Sequence, residues 1–91
     1  MIQHHWMDKL TDEGYKNLTV CEVAPNTDFG QHTHNEMTVH VILKGELTMT
    51  DANGSITLYE SDQFEIPAGT THSAMCGPDG LKMIVGTKQT S

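Results

Sequence analysis

The sequence predicts an all-β, antiparallel domain, either a sandwich or a barrel. Short runs rich in Val, Ile, Leu, Thr and Met recur about eight times, each closed by Gly, Pro, Asn or Asp. Twelve threonines add β propensity along these runs. No apolar pattern with a period of about 3.6 residues persists for two turns, so no helix of that length is expected.

Taken in order, "MIQHHW" alternates weakly and predicts a short N-terminal edge strand, and "MDKLTDEG" predicts a turn or a single helical turn, together residues 1–16. A core of residues 17–86 follows, the whole chain 1–91 making one domain. "NLTVCEVA" is a strand stopped by Pro25, and "PNTDFG" is a loop. Gly30 to Leu43 is one long strand or two with a bend, and "KGE" at Lys44 to Glu46 is a tight turn. "LTMT" and "SITLYE" flank "DANG", whose Asn-Gly pair is a strong hairpin signal. "QFEIP" is a short strand between the turns "ESD" and "PAGT", and "THSAMC" and "LKMIVG" are final strands separated by "GPDG".

Charge narrows the function. The formal net charge is -7, with five lysines and no arginine. Nucleic acid and anionic membrane surfaces both need clustered cations, so neither is expected as a partner. The missing arginine also removes the usual bidentate clamp for carboxylate or phosphate. No run reaches the length of a membrane span, and the start lacks the pattern of a secretory signal. A cytoplasmic location is the expectation, with Cys21 and Cys76 as reduced thiols.

In "MTVHVILKG" both faces carry apolar residues: Thr38, His40 and Ile42 share one, Val39, Val41 and Leu43 the other. A half-exposed strand would show a polar outer face, so a partner sheet or a second subunit is expected to cover it. A homodimer is the reading, since so short a chain gains much from extra burial.

"GQHTHNEMTVH" places His32, Glu36, Thr38 and His40 at alternate positions with His34, so all five share one strand face. Imidazoles at i and i+2 can meet at one cation. The second element is "IPAGTTHS", where Pro67 and Gly69 form a turn that aims His72 back into the fold.

Together the two elements resemble the cupin superfamily, whose motifs are commonly written G-x5-H-x-H-x3,4-E-x6-G and G-x5-P-x-G-x2-H-x3-N; His32, His34 and Gly45 fit the first, and Pro67, Gly69 and His72 the second. The resemblance spans about Val20 to Val85 and implies a double-stranded β-helix, the jelly-roll barrel. The departures are Asn26 and Ser61 for the leading glycines, Cys76 for the closing Asn, and Thr38 for the usual Glu or Gln ligand. Asn tolerates the positive φ that such a Gly supplies. A neutral threonine hydroxyl is a poor metal ligand.

The resemblance implies a three-histidine site, His32, His34 and His72, for a divalent transition metal: Fe, Zn, Ni, Mn or Cu. His40 is read as a fourth ligand or as a pocket residue facing substrate. Glu36 is read as a ligand, a group fixing a ligand histidine, or a solvated carboxylate. His40, Glu36 and Tyr59 are the candidates for moving protons. Cys76 shares the parity of His72 and is read as a small buried apolar residue, and His4 and His5 as part of an edge segment. Met37, Met49, Met75 and Met83 are read as core or pocket lining.

Two function classes follow. One is a small metalloenzyme acting on an oxygen-bearing metabolite as a dioxygenase, isomerase or lyase. The other is a binding module in which a small ligand is held and the metal is structural or absent. Fold resemblance does not choose between them.

Overall fold

A computed structural model describes residues 2–89. One helix, α1 (Ile2–Asp12), precedes six strands: β1 (Lys16–Val23), β2 (His32–Thr33), β3 (Met37–Asp51), β4 (Gly54–Leu58), β5 (Gln63–Ile66) and β6 (Thr71–Lys88). The all-β antiparallel expectation holds for everything after residue 15.

The frame is a long antiparallel pair, β3 against β6, running from Met37 opposite Lys88 to Thr50 opposite Ser73. The register shifts between Ile42 and Lys44 and again between Gly45 and Leu47. These shifts bend the ladder, and the flanking strands divide at the bend. On one side β5 pairs β3 at Thr38 to Val41, and β1 pairs β6 at Leu81 to Thr87. On the other side β4 pairs β3 at Leu47 to Asp51, and β2 pairs β6 at Thr71 and His72. The two half-sheets fold over one core in which Ile42 and Met83 from the first meet Leu47, Met49, Leu58 and Cys76 from the second.

Two expected interruptions prove to be bulges. "KGE" does not reverse the chain; Lys44 and Gly45 stay paired with Lys82 and Leu81, and the extra residue is taken up as a bulge. "GPDG" does not break the chain into separate strands, since β6 continues through it as an 18-residue strand. Its ladder with β3 nevertheless skips Gly77 to Gly80, which stand opposite Glu46 alone. The "DANG" hairpin is formed as expected, with Asp51 opposite Gly54.

The N-terminal edge strand is a correction: an 11-residue helix stands there. Trp6, Met7 and Leu10 lie three and four residues apart and make one apolar stripe. Gly14, at φ +94, ends the helix, and the Tyr15 N–H donates to the Leu10 carbonyl at 3.0 Å across it, the wrap that glycine permits. The stripe carries few apolar residues in a polar segment, which is why periodicity alone does not betray it. Met1, where the expected strand began, lies outside the described residues.

The helix also accounts for the two-faced strand. Val39, Val41 and Ile84 on the outer face are fully buried, and they pack in one cluster with Leu10 and Tyr15, joined by Trp6 and Met7. The face that prompted the homodimer expectation is therefore covered from within the chain. Polar ties hold the helix in place: Lys9 Nζ donates to Gln63 Oε1 at 2.8 Å, and Gln63 Nε2 to Glu13 Oε1 at 3.0 Å. The Tyr15 hydroxyl donates to the Glu65 carboxylate on β5.

Leu10 is the centre of that cover, with no exposed surface. Leu10→Ala should cost about 2–5 kcal/mol in urea unfolding, the usual loss for a buried Leu in a site that collapses only partly. The loss should not depend on protein concentration; a concentration-dependent loss would mean that a second copy contributes to the cover.

Candidate metal centre

Register builds the site. β2 and β6 pair so that His32 lies directly opposite His72, and the neighbouring Thr33 and Thr71 hydroxyls bond to each other at 2.8 Å. His34, just beyond β2, is on the same face as His32. The "PAGT" turn locks this end, since the Gly69 N–H donates to the His34 carbonyl at 2.9 Å. Gly69 takes φ +82 there, a conformation an L side chain rarely adopts.

The three rings converge. Centroids of His32 and His72 are 4.3 Å apart, those of His32 and His34 4.8 Å, and those of His34 and His72 5.4 Å. Ring nitrogens of all three fall within 4.8 Å of one another, which makes them a donor set able to hold one cation. His72 is buried, His32 half-buried and His34 at the exposed rim.

The orientation of two rings is fixed by the same device. His32 Nδ1 bonds to the Gly30 carbonyl at 2.9 Å, and His72 Nδ1 to the Thr70 carbonyl at 3.1 Å. A carbonyl only accepts, so each Nδ1 carries the proton and each Nε2 is left with its lone pair. Such back-bonding is how metal-binding imidazoles are commonly held in one tautomer. His72 Nε2 is buried with no partner among the described residues. An orphaned acceptor is costly at such a position. A cation would satisfy it, so the residues fit the group that the sequence implied.

His40 projects from β3 into the cavity that the three histidines border, but it stands outside their donor group. It is 9% exposed, and its Nδ1 has no partner among the described residues. Burial first, then His72, His34 and His32, push its pKa down from 6.5 to about 4. His34 is lowered too, by partial desolvation and then by His32 and His72. Both are neutral at pH 7, the state that metal binding and proton acceptance require.

The remaining candidates separate. Thr38 is buried and lines the cavity, with its hydroxyl donating to the Glu36 carbonyl at 3.4 Å. Glu36 is half-buried but does not line the cavity, and no carboxylate lines it among the described residues. Tyr59 is 57% exposed in the turn after β4, away from the cavity. The structure therefore does not bring Glu36 or Tyr59 to the histidines. Cys76 is buried in the core, as read. Met49 and Met83 line the cavity, Met37 packs on the outer face and Met75 is half exposed. Sequence reasoning missed Phe29 and Cys21 as cavity residues. Alternation along β1 from Cys21 could have found the second.

His40 sets an acid limit. The unfolded chain protonates it near 6.5, whereas the native state resists until about pH 4. The unfolded state thus binds more protons between these values. Stability should be level above pH 6.5 and fall as pH drops toward 4, by about 3 kcal/mol from this group. Urea midpoints of the chelator-treated protein should show this fall, and His40→Phe should flatten it relative to the parent.

Comparison with known proteins agrees with this architecture. The family model described as Cupin domain matches residues 19–85. No curated protein matches the chain. A cupin superfamily protein from Desulfitobacterium hafniense is 25% identical with a TM-score of 0.72, over 80% of this chain and 66% of its own. An RmlC-like cupin from Shewanella frigidimarina is 20% identical with a TM-score of 0.71, over 80% of this chain and 65% of its own. KdgF from a Halomonas species is 17% identical with a TM-score of 0.67, over 81% of this chain and 69% of its own. The chain thus spans about two thirds of the length of these structures. With most of its residues matched by the family model, a bent β3–β6 frame and the histidines of both motifs gathered at one point, this chain belongs to the cupin domain family.

Proposed function

We propose that this chain is a metal-binding cupin and a small metalloenzyme, acting on an oxygen-bearing metabolite by dioxygenase, isomerase or lyase chemistry. The observation that carries the reading is the pair of anchored rings: His32 and His72 spend Nδ1 on backbone carbonyls and keep Nε2 free beside His34. His32, His34 and His72 would hold a divalent transition metal through three imidazoles, and the ion would supply Lewis-acid polarisation of a carbonyl or enol oxygen. His40 supplies the proton-handling group, because it is neutral, buried and borders the same cavity. Thr38 shapes the wall where a carboxylate ligand would otherwise bring negative charge.

A second reading, a non-catalytic ligand-binding cupin, is favoured by one observation. Neither Glu36 nor Tyr59 lines the cavity, so among the described residues its titratable side chains besides the three clustered histidines are His40 and the Cys21 thiol. Oxygen uptake with small diketones, thiols and sugar acids separates the two readings. The free thiols of Cys21 and Cys76 support a cytoplasmic setting.

Elemental analysis of protein purified without a His tag should find close to one transition metal per chain. His72→Ala should weaken metal binding more than about a hundredfold while circular dichroism and urea unfolding report an intact fold. Full metal retention in that variant overturns the ligand set. Glu36→Gln and Tyr59→Phe should keep both metal and turnover.

A further inference from the structure

The cavity beside the histidines holds about 400 Å³. Its walls come from both half-sheets, and their chemistry is uneven. Leu47, Met49, Ala74, Met83 and Val85 form an apolar wall facing the cluster. Of the other polar side chains that line it, Asn17, Thr19 and Thr38 each make a bond within the chain, and His40 Nδ1 has no partner among the described residues. Asn17 Nδ2 donates to Thr87 Oγ1 at 3.1 Å, Thr19 Oγ1 to the Asn17 carbonyl at 3.3 Å, and Thr38 Oγ1 to the Glu36 carbonyl at 3.4 Å. Among the described residues that line the cavity there is no Asp, Glu or Lys, and the chain has no arginine.

This lining discriminates among ligands. A second carboxylate or a phosphate would be buried without a counter-ion, at a cost of several kcal/mol. A polyol could bond His40 Nδ1 and the threonine hydroxyls, but the hydroxyls it places against Leu47, Met83 and Val85 would have nothing to bond. A molecule that offers two oxygens at one end and hydrocarbon at the other loses nothing by entering. Its oxygens meet the site at His32, His34 and His72, and its body replaces water on the apolar wall.

We propose that the cavity selects a small, apolar-bodied compound with one chelating oxygen pair, such as a 1,2- or 1,3-diketone or its enol, over sugar acids and dicarboxylates. This rests on the metal reading above and adds to it the substrate class.

The test uses the whole chain, first loaded with Co(II) and read by its visible ligand-field bands. Calorimetry then compares benzoylacetone, malonate and gluconate. Benzoylacetone should bind the Co(II) protein at least about tenfold more tightly than either acid and should shift the bands. Val85→Thr keeps the side-chain shape and adds a hydroxyl to the wall; it should weaken benzoylacetone about fivefold and leave Co(II) affinity unchanged. Malonate or gluconate binding as tightly as the diketone overturns the proposal, and so does benzoylacetone binding that ignores Val85→Thr. Failure to load Co(II) sinks the metal reading alone. In that case ligand-observed NMR on the metal-free protein decides: preference for benzoylacetone sustains the selectivity, and preference for the acids, or no binding by any probe, ends it.

Discussion

At Gly45 the backbone of β3 passes so close to the Gly80 carbonyl of β6 that a Cβ would overlap the oxygen, and both glycines sit at positive φ, +88 and +84. This crossing is where the long ladder bends, and the inward faces change parity there. Before it, Thr38, His40 and Ile42 point inward from β3; after it, Leu47 and Met49 do. On β6 the inward set changes from His72, Ala74 and Cys76 to Leu81, Met83 and Val85. A bulge shifts parity by one residue, and a shift on one strand alone would turn half of its apolar side chains to water. Both strands shift at the same level, so one core continues through the bend. The cavity is the space the bend encloses, and its shape depends on two residues that carry no side chain at all.

The histidine cluster depends on a second constraint, the tautomer of each ring. Three rings this close can share one cation only if each turns a lone pair toward it. Each loop that delivers a ligand supplies a carbonyl two residues upstream of it, from Gly30 for His32 and from Thr70 for His72. The turns are braced in their own right: Asp28 Oδ1 accepts from the Gly30 N–H at 2.8 Å, and Gly69 bonds the His34 carbonyl at 2.9 Å. The loops therefore position the imidazoles and also fix which nitrogen is available.

These same features explain what was legible. The H-x-H pair and the P-x-G-x2-H turn are local, and local geometry carries their meaning, so the grouping of His32, His34 and His72 could be read before the rings were seen to meet. Alternation placed His40 inward and Cys76 in the core correctly, because both lie within uninterrupted stretches of strand. Glu36 does not line the cavity because it lies before β3 begins, where the period of two has not yet started. Tyr59 stands outside the cavity because it lies just past the end of β4. The helix failed for a different reason: its apolar stripe is thin, and its stability comes from packing against Val39, Val41 and Ile84, which no local pattern reveals. The two apolar faces of β3 did reveal that something must cover it. They left the identity of the cover open, because a helix of the same chain and a second subunit place the same demand on the strand.

Charge is partitioned to match. The chain has twelve acidic residues against five lysines, yet no carboxylate or ammonium group lines the cavity among the described residues. The charged side chains act outside, where Lys9 pairs with Glu13 at 2.5 Å and Lys88 lies 4.3 Å over the Tyr15 ring. A net charge of -7 draws cations toward the protein from a distance, and the three histidines form a donor set able to hold one at short range. A site built this way gains its charge only when a cation arrives. Had a glutamate stood at Thr38, some of that charge would be cancelled at the point of use; with the threonine, it is left for whatever oxygen the bound molecule presents.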